Sequence, residues 1–155
     1  MKRSPLAPPS FPDLPTVKGI RITGVSAGLK RAGKRDLLIA EMRPGTTIAG
    51  KLTSSKCPSA PVDWCRRALK GGKARVIIAN SGNANAFTGN SGNRTVQEVT
   101  TAAVKEFQCS NHEVFVASTG VIGQPLDPNP ICRCLNGAAK TLSLENWQEA
   151  ADAIR

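Results

Sequence analysis

The sequence is poor in aromatic residues. Its 155 residues include no tyrosine, two tryptophans and four phenylalanines, although 40% of the chain is hydrophobic. A chain of this length can bury a core as one domain, and its moderate charge favours a folded protein over a disordered one. We therefore expect a core that is filled by aliphatic side chains and alanine.

A recognisable metal-binding motif is also lacking. The chain has one histidine, His112, and no Cys-x-x-Cys pair, whereas zinc normally takes four cysteine or histidine ligands at characteristic spacings. Cys132 and Cys134 would form a poor chelate, because two residues so spaced on a helix point about 200° apart. The five cysteines stand at irregular positions: 57, 65, 109, 132 and 134. We expect reduced, half-buried thiols and no bound metal.

No apolar run approaches the roughly 18–20 residues that cross a membrane. The N-terminus is basic but leads into prolines rather than into an apolar segment, so it does not resemble a signal peptide. Residues 1–16 hold five of the eleven prolines and are predicted to form an extended or mobile arm, with residues 17–155 as the folded domain. We expect a cytoplasmic protein without a membrane partner.

Acidic residues are scarce in the first half of the chain. Residues 1–75 contain 16 Lys and Arg against 4 Asp and Glu, whereas residues 76–155 contain 5 against 7. Such asymmetry is typical of some nucleic-acid-binding proteins. No aromatic RNA-binding motif, zinc finger or helix-turn-helix pattern accompanies it, so a solvated face or a face that meets an acidic protein is the simpler interpretation. We expect no nucleic-acid partner.

The order of predicted elements indicates the fold class. Alternating or continuous apolar runs predict strands, and apolar residues at helical spacing predict helices. The predicted strands cover residues 19–25, 37–42, 47–53, 74–80 and 113–117. Two predicted helices cover residues 61–69 and 95–107, and Asn93 is the predicted cap of the second. A third helix is predicted to begin at Asp127. A fourth is predicted to be capped by Ser143 and to bury Trp147, Ala150, Ala151 and Ile154. This order predicts an α/β protein with a mixed sheet covered by helices.

Two glycine-containing segments follow predicted strands. Residues 80–89 read Asn-Ser-Gly-Asn-Ala-Asn-Ala-Phe-Thr-Gly, and residues 117–123 read Ala-Ser-Thr-Gly-Val-Ile-Gly. A buried strand that opens into small residues exposes backbone N–H groups, and such groups bind an anion or an oxyanion without a charged side chain. The glycines match neither the dinucleotide-binding fingerprint nor a phosphate-binding loop, which needs a Gly-Lys-Ser/Thr sequence. Asn80, Asn83 and Asn85 are expected either to line a polar pocket or to cap turns.

These segments give the chain a resemblance to a known family. Three further stretches occur in the matching order: Ala-Gly-Leu-Lys at residues 27–30, Lys-Cys-Pro-Ser-Ala-Pro-Val at residues 56–62, and a C-terminal stretch from Trp147 to residue 154. Together they resemble the N-terminal part of the ornithine acetyltransferase (glutamate N-acetyltransferase) family of arginine biosynthesis, over nearly the whole chain. The resemblance implies part of the fold shared by DmpA and the ornithine acetyltransferases.

The resemblance also implies a chemistry. Family members are precursors that cleave themselves and expose an N-terminal threonine, which carries acetyl from N-acetylornithine to glutamate without a cofactor. The family's oxyanion hole lies on a Thr-Gly pair that matches Thr119 and Gly120. Without the surrounding match, residues 118–120 would be interpreted as a polar turn. Whether acetyl-CoA is also a substrate stays open.

The chain departs from the family in length. The Thr-Thr-Asp-Thr and Lys-Gly-x-Gly-Met segments, the Ala-Thr cleavage site and the substrate-binding threonine and lysine have no match in these 155 residues. The resemblance implies that the family's substrate-binding positions lie beyond Arg155, so the substrate-binding residues of this sequence are unknown.

The resemblance therefore identifies residues 17–155 as the α-chain portion, truncated before the nucleophile and inactive alone. Its expected partner is the remaining β chain, in a heterotetramer. A stand-alone binding module of the same fold and a basic nucleic-acid-binding protein remain the alternatives.

Overall fold

The computed structural model describes residues 4–10, 14–31 and 33–155. In this part of the chain, four strands form one sheet in the order β1-β2-β3-β4. The strands are β1 (Ile20–Val25), β2 (Leu37–Met42), β3 (Val76–Asn83) and β4 (Val114–Val121). The α-helices are α1 (Ala60–Ala68), α2 (Gly89–Phe107), α3 (Asn129–Leu135) and α4 (Trp147–Ile154). The predicted mixed sheet covered by helices is confirmed.

The pairing of the strands changes direction at β3. β1 pairs with β2 and β2 pairs with β3 in antiparallel fashion, whereas β3 and β4 are parallel. Parallel neighbours need a crossover connection, and α2 supplies it. β1 and β2 are consecutive antiparallel strands. Ala32, which lies between them in sequence, is outside the described residues, as are residues 1–3 and 11–13 of the proline-rich arm.

Helices cover both faces of the sheet. On one face, Val76, Ile78 and Val116 belong to the main core together with Val96 and Val99 of α2. On the other face, Ile22, Ala40 and Ala150 form a second cluster beneath α4. The side chains with almost no exposure are mostly aliphatic, as the scarcity of aromatic residues predicts: Leu37, Ile39, Ile131, Leu135, Val76 and Val114. None of the helices in the described residues is long and apolar enough to cross a membrane.

The predicted strand at residues 47–53 is wrong. Only Thr47 pairs there, in an isolated bridge to Lys73. The alternating pattern predicted a strand here, but β1 and β3 occupy both edges of β2, the strand that precedes this segment in sequence. Apart from that bridge the segment joins no sheet, and most of its side chains are exposed.

The helix boundaries also differ from prediction. α2 begins at Gly89, with Thr88 and not Asn93 at the N-cap position. The helix predicted from Asp127 ends at Leu135, because Asn136 is extended and Gly137 is left-handed. Ser143 does not cap α4, because its backbone pairs with Ile22 of β1.

The buried stripe of α4 differs as well. Ala150 and Ala153 are buried and Trp147 is partly buried, whereas Ala151 and Ile154 are exposed, so the buried stripe is rotated from the predicted one. In α1, Cys65 and Ala68 are buried, whereas Trp64 is only partly buried.

The contact between α4 and β1 requires a glycine at position 24. A Cβ atom on Gly24 would lie 1.9 Å from the Glu149 carbonyl oxygen. We expect Gly24→Ala to lower the free energy of unfolding by about 1–3 kcal/mol, the usual cost of overpacking. Gly50→Ala is the matched control, since its nearest neighbour would be a Leu69 methyl group at 4.0 Å. Urea unfolding of both variants checks this, and equal effects would contradict it.

Candidate oxyanion site

The parallel strands β3 and β4 run through both glycine-containing segments. Ser81 pairs with Thr119, and Gly82 pairs with Gly120. The predictions that the strands end at residues 80 and 117 are therefore wrong, because the two segments hydrogen-bond to each other. Residues 118–120 form the end of a strand, so they are not a free polar turn.

Glycine is required at both positions of the second pair. Gly82 has φ +104° and Gly120 has φ +128°, values that side chains rarely permit. A Cβ atom on Gly120 would lie 2.4 Å from the Gly82 carbonyl carbon. The backbones of β3 and β4 thus touch where a register shift at Gly82 and Asn83 ends the regular ladder.

Adjacent hydroxyl groups on β4 have different surroundings. The Ser118 hydroxyl donates to Oδ1 of the buried Asn80 at 2.6 Å, and the Asn80 amide donates to the Asn83 carbonyl at 2.9 Å. The Thr119 side chain is exposed. It has no hydrogen-bond partner within residues 4–10, 14–31 and 33–155, so it is the hydroxyl available to a ligand.

The alternation of β4 sets the directions of Thr119 and Gly120. Trp64 Nε1 donates to the Val114 carbonyl at 2.8 Å and the Cys65 thiol to the Val116 carbonyl at 3.2 Å, so these carbonyls face α1 and not β3. Peptide groups alternate along a strand. In a regular strand, this alternation would turn the N–H of Gly120 away from β3, toward the outer edge of the sheet.

The asparagines of the first segment hold the entry to α2. Asn85 has φ +45° and is 1% exposed; its amide donates to the Gly92 carbonyl at 3.1 Å, and its carbonyl oxygen accepts from the Thr88 hydroxyl at 2.9 Å. The Asn83 amide donates to the Gln124 carbonyl at 3.0 Å. The two expected roles were to line a polar pocket or to cap turns. The hydrogen bonds to turn and loop backbone indicate a structural role for Asn83 and Asn85.

An acidic residue that the sequence analysis missed lies beside this strand end. Asp36 is fully buried, and its carboxylate accepts the backbone N–H groups of Ala27 and Leu29 at 2.6 Å and of Lys30 at 2.9 Å. Its own carbonyl accepts the N–H of Ser81 at 2.8 Å. The available signal was that Asp36 is a single acid that follows the basic stretch of residues 30–35 and directly precedes β2.

The last residue, Arg155, follows α4 on the surface. Its side chain is exposed, and its guanidinium forms an ion pair with Asp152 at 3.3 Å. Its carbonyl oxygen accepts a hydrogen bond from Nζ of Lys30 at 2.6 Å. Both contacts are to residues of this chain. That the substrate-binding positions lie beyond Arg155 stays a prediction from the resemblance.

The cysteines do not form a reactive or metal-binding centre in the described residues. All five are free thiols, and no group of three or more His, Cys, Asp or Glu side chains is placed to hold a metal there. Burial raises the pKa of the Cys65 and Cys132 thiols, which keeps them protonated at neutral pH. Cys57 is exposed, and nothing in its surroundings assigns it a role.

Exposed apolar side chains border the strand end. Phe87 is 72% exposed, Val121 49% and Ile122 62%. Two backbone bonds join their segments, from Ala84 N–H to the Val121 carbonyl at 2.8 Å and from Gly123 N–H to the Ala86 carbonyl at 2.9 Å. The site thus lies in an open, partly apolar part of the surface.

Comparison with known proteins agrees with the resemblance. The ArgJ family model matches residues 21–155. The chain belongs to the ArgJ family. It is 48% identical over 151 residues to the arginine biosynthesis bifunctional protein ArgJ of Bradyrhizobium diazoefficiens and 49% identical over 151 residues to that of Mesorhizobium japonicum. In both cases the match covers 97% of this chain and 37% of the relative.

Solved structures of the family share the fold. The ArgJ protein of Bacillus halodurans has a TM-score of 0.79 and 30% identity, over 88% of this chain and 72% of that one. The ornithine acetyltransferase of Mycobacterium tuberculosis, solved in complex with ornithine, has a TM-score of 0.79 and 34% identity, over 88% and 75%. Compared with the curated relatives named above, the chain spans about 37% of their length.

The different surroundings of Ser118 and Thr119 predict different effects on stability. We expect Ser118→Ala to lower the free energy of unfolding by about 1–3 kcal/mol, because it leaves the buried Asn80 oxygen without its donor. Thr119→Ala, the matched control, should change it by less than about 0.5 kcal/mol, because this exposed hydroxyl has no partner in the described residues. Denaturant unfolding of both variants measures the difference. A larger loss for Thr119→Ala would make Thr119 a structural residue.

Proposed function

We propose that this chain supplies the oxyanion hole of a glutamate N-acetyltransferase that takes acetyl from N-acetylornithine. The observation that carries the proposal is the Thr119 hydroxyl, without a partner in the described residues, next to Gly120 at the end of paired strands. The relatives named above are arginine-biosynthesis proteins, which favours this function over a binding module or a nucleic-acid-binding protein.

The chemistry explains why two neutral donors suffice. Acyl transfer to a hydroxyl nucleophile passes through a tetrahedral intermediate, in which the former carbonyl oxygen becomes an oxyanion. A second intermediate forms when the acetyl group passes to the amine of glutamate. The Thr119 hydroxyl and the Gly120 N–H donate to this oxygen and stabilise the charge only when it develops. In other enzymes the loss of one such donor lowers kcat by about 10²–10³-fold.

The remaining parts of the proposed reaction come from residues not present in this sequence. We infer that an N-terminal threonine, exposed by self-cleavage, is the nucleophile and that its own amine is the base. We further propose that the substrates are bound by a threonine and a lysine that lie beyond Arg155 in the complete enzyme, that the two chains form a heterotetramer in the cytoplasm, and that no cofactor takes part. Use of acetyl-CoA as a second donor is an open part of the proposal.

The first test uses the 155-residue protein alone. We expect no acetyl transfer from N-acetylornithine to glutamate, because the proposed nucleophile is absent. The measurement is the formation of N-acetylglutamate, with the intact Bradyrhizobium diazoefficiens relative as positive control and heat-treated protein as background. Turnover by the 155-residue protein above that background would contradict the proposed division of roles.

The second test restores the missing part. Residues 1–155 are joined to the portion of the Bradyrhizobium diazoefficiens relative that they do not match, and transfer activity is measured. In this chimera Thr119→Ala should lower kcat by about 10²-fold or more and change KM far less, because the oxyanion exists only in the intermediates. Self-cleavage should slow too, since it passes through a similar species.

The matched control for this test is Thr119→Ser, which keeps the donor and should retain much more activity. Near-normal kcat in the alanine variant, or equal damage by serine and alanine, would show that Thr119 does not bind the oxyanion. An inactive chimera beside an active relative would argue against the proposed function itself.

A further inference from the structure

The loop of residues 27–30 is held by one buried carboxylate. Asp36 is 0% exposed, and both of its oxygens accept backbone N–H groups of the loop, at 2.6, 2.6 and 2.9 Å. Hydrogen bonds to an ionised acceptor are about twice as strong as neutral ones. A buried carboxylate is tolerated only when its oxygens are satisfied. The three bonds therefore fix the backbone of the loop relative to the start of β2.

The loop in turn rests against β3. A Cβ atom on Gly82 would lie 2.8 Å from the Leu29 carbonyl oxygen and 3.2 Å from Cγ of Lys30. Real Cβ atoms essentially never approach a backbone oxygen so closely. The Leu29 peptide and Gly82 are therefore in direct backbone contact, with no side chain on the glycine to separate them.

Gly82 touches the candidate site on its other side. It pairs with Gly120, and a Cβ atom on Gly120 would lie 2.6 Å from the Gly82 carbonyl oxygen and 2.7 Å from the Asn83 nitrogen. The backbone of Gly82 is thus enclosed between the Asp36-held loop and the Thr119–Gly120 strand end. The contacts of Gly82 with the Leu29 carbonyl and with Gly120 are both between backbone atoms.

We propose that the loop of residues 27–30 is the positioning element of the Thr119–Gly120 site, with Asp36 and Gly82 as positioning residues. The inference rests on the proposed function of that site. Asp36 fixes the loop, the Leu29 peptide limits where Gly82 lies, and Gly82 sets the position of the Gly120 N–H. Displacement of donors by about 1 Å can lower a rate by about 10²-fold.

The test compares two alanine substitutions at left-handed glycines. Gly82→Ala forces the Leu29 peptide and Gly82 apart, while Gly45→Ala introduces a comparable backbone strain at φ +85° with nothing within 4 Å of the new methyl group. Both variants are made in the 155-residue protein, labelled with ¹⁵N-glycine, and in the chimera with the Bradyrhizobium diazoefficiens relative. The readouts are the Gly120 amide resonance, hydrogen exchange at that amide, kcat and KM.

We expect Gly82→Ala to shift the Gly120 resonance, to accelerate its exchange and to lower kcat by about 10²-fold with a much smaller change in KM. Gly45→Ala should leave these readouts near those of the parent, even if it lowers the melting temperature similarly. A Gly120 resonance that is unchanged in Gly82→Ala, or shifted equally by both variants, would overturn the proposal.

Asp36→Asn is the second variant. It replaces one carboxylate oxygen by an NH₂ group, which cannot accept hydrogen bonds from the N–H groups of the loop. If the variant folds, its Gly120 resonance should shift in the same direction as in Gly82→Ala; an unchanged resonance would remove Asp36 from the proposal. If it does not fold, Gly82→Ala and Gly45→Ala still decide the role of the loop. The resonance readouts need no turnover, so an inactive chimera would count against the proposed function and not against the positioning role.

Discussion

The parallel pairing of β3 with β4 is the constraint on which the candidate site depends. Parallel neighbours cannot be joined by a tight turn, so the chain crosses over through the 19 residues of α2 before β4 begins. The pairing then continues past the helix-covered core and brings Asn80 beside Ser118 and Gly82 beside Gly120. Two segments that are far apart in sequence thus become adjacent backbones at one end of the sheet.

The small residues of both segments follow from that pairing. Where the two backbones touch, a Cβ atom on either glycine would clash, and the positive φ angles exclude most other residues. The Asn83 and Asn85 amides donate to backbone carbonyls outside the ladder, those of Gln124 and Gly92. Polarity here comes from backbone groups, hydroxyls and amides, so the site holds its dipoles without placing a charge among them.

Local pattern predicted the elements whose boundaries are set by their own residues. β2 has the predicted bounds, β1 begins one residue later than predicted, and α2 ends at the predicted Phe107. The ends of β3 and β4 were not predictable, because each strand is prolonged by the other through Gly82 and Gly120. The strand predicted at residues 47–53 was wrong because an alternating pattern does not determine whether a segment has a neighbouring strand to pair with.

The neutral donors that we propose at Thr119 and Gly120 suit the proposed substrates. Glutamate and N-acetylornithine both carry carboxylates, and a lysine at the oxyanion position would attract such a group in the ground state as well as an oxyanion in the intermediate. Uniform binding of this kind does not accelerate the chemical step. Fixed hydroxyl and N–H dipoles discriminate by position, so their value depends on a backbone that does not move. A frame of glycine contacts and a buried, fully hydrogen-bonded Asp36 meets that requirement.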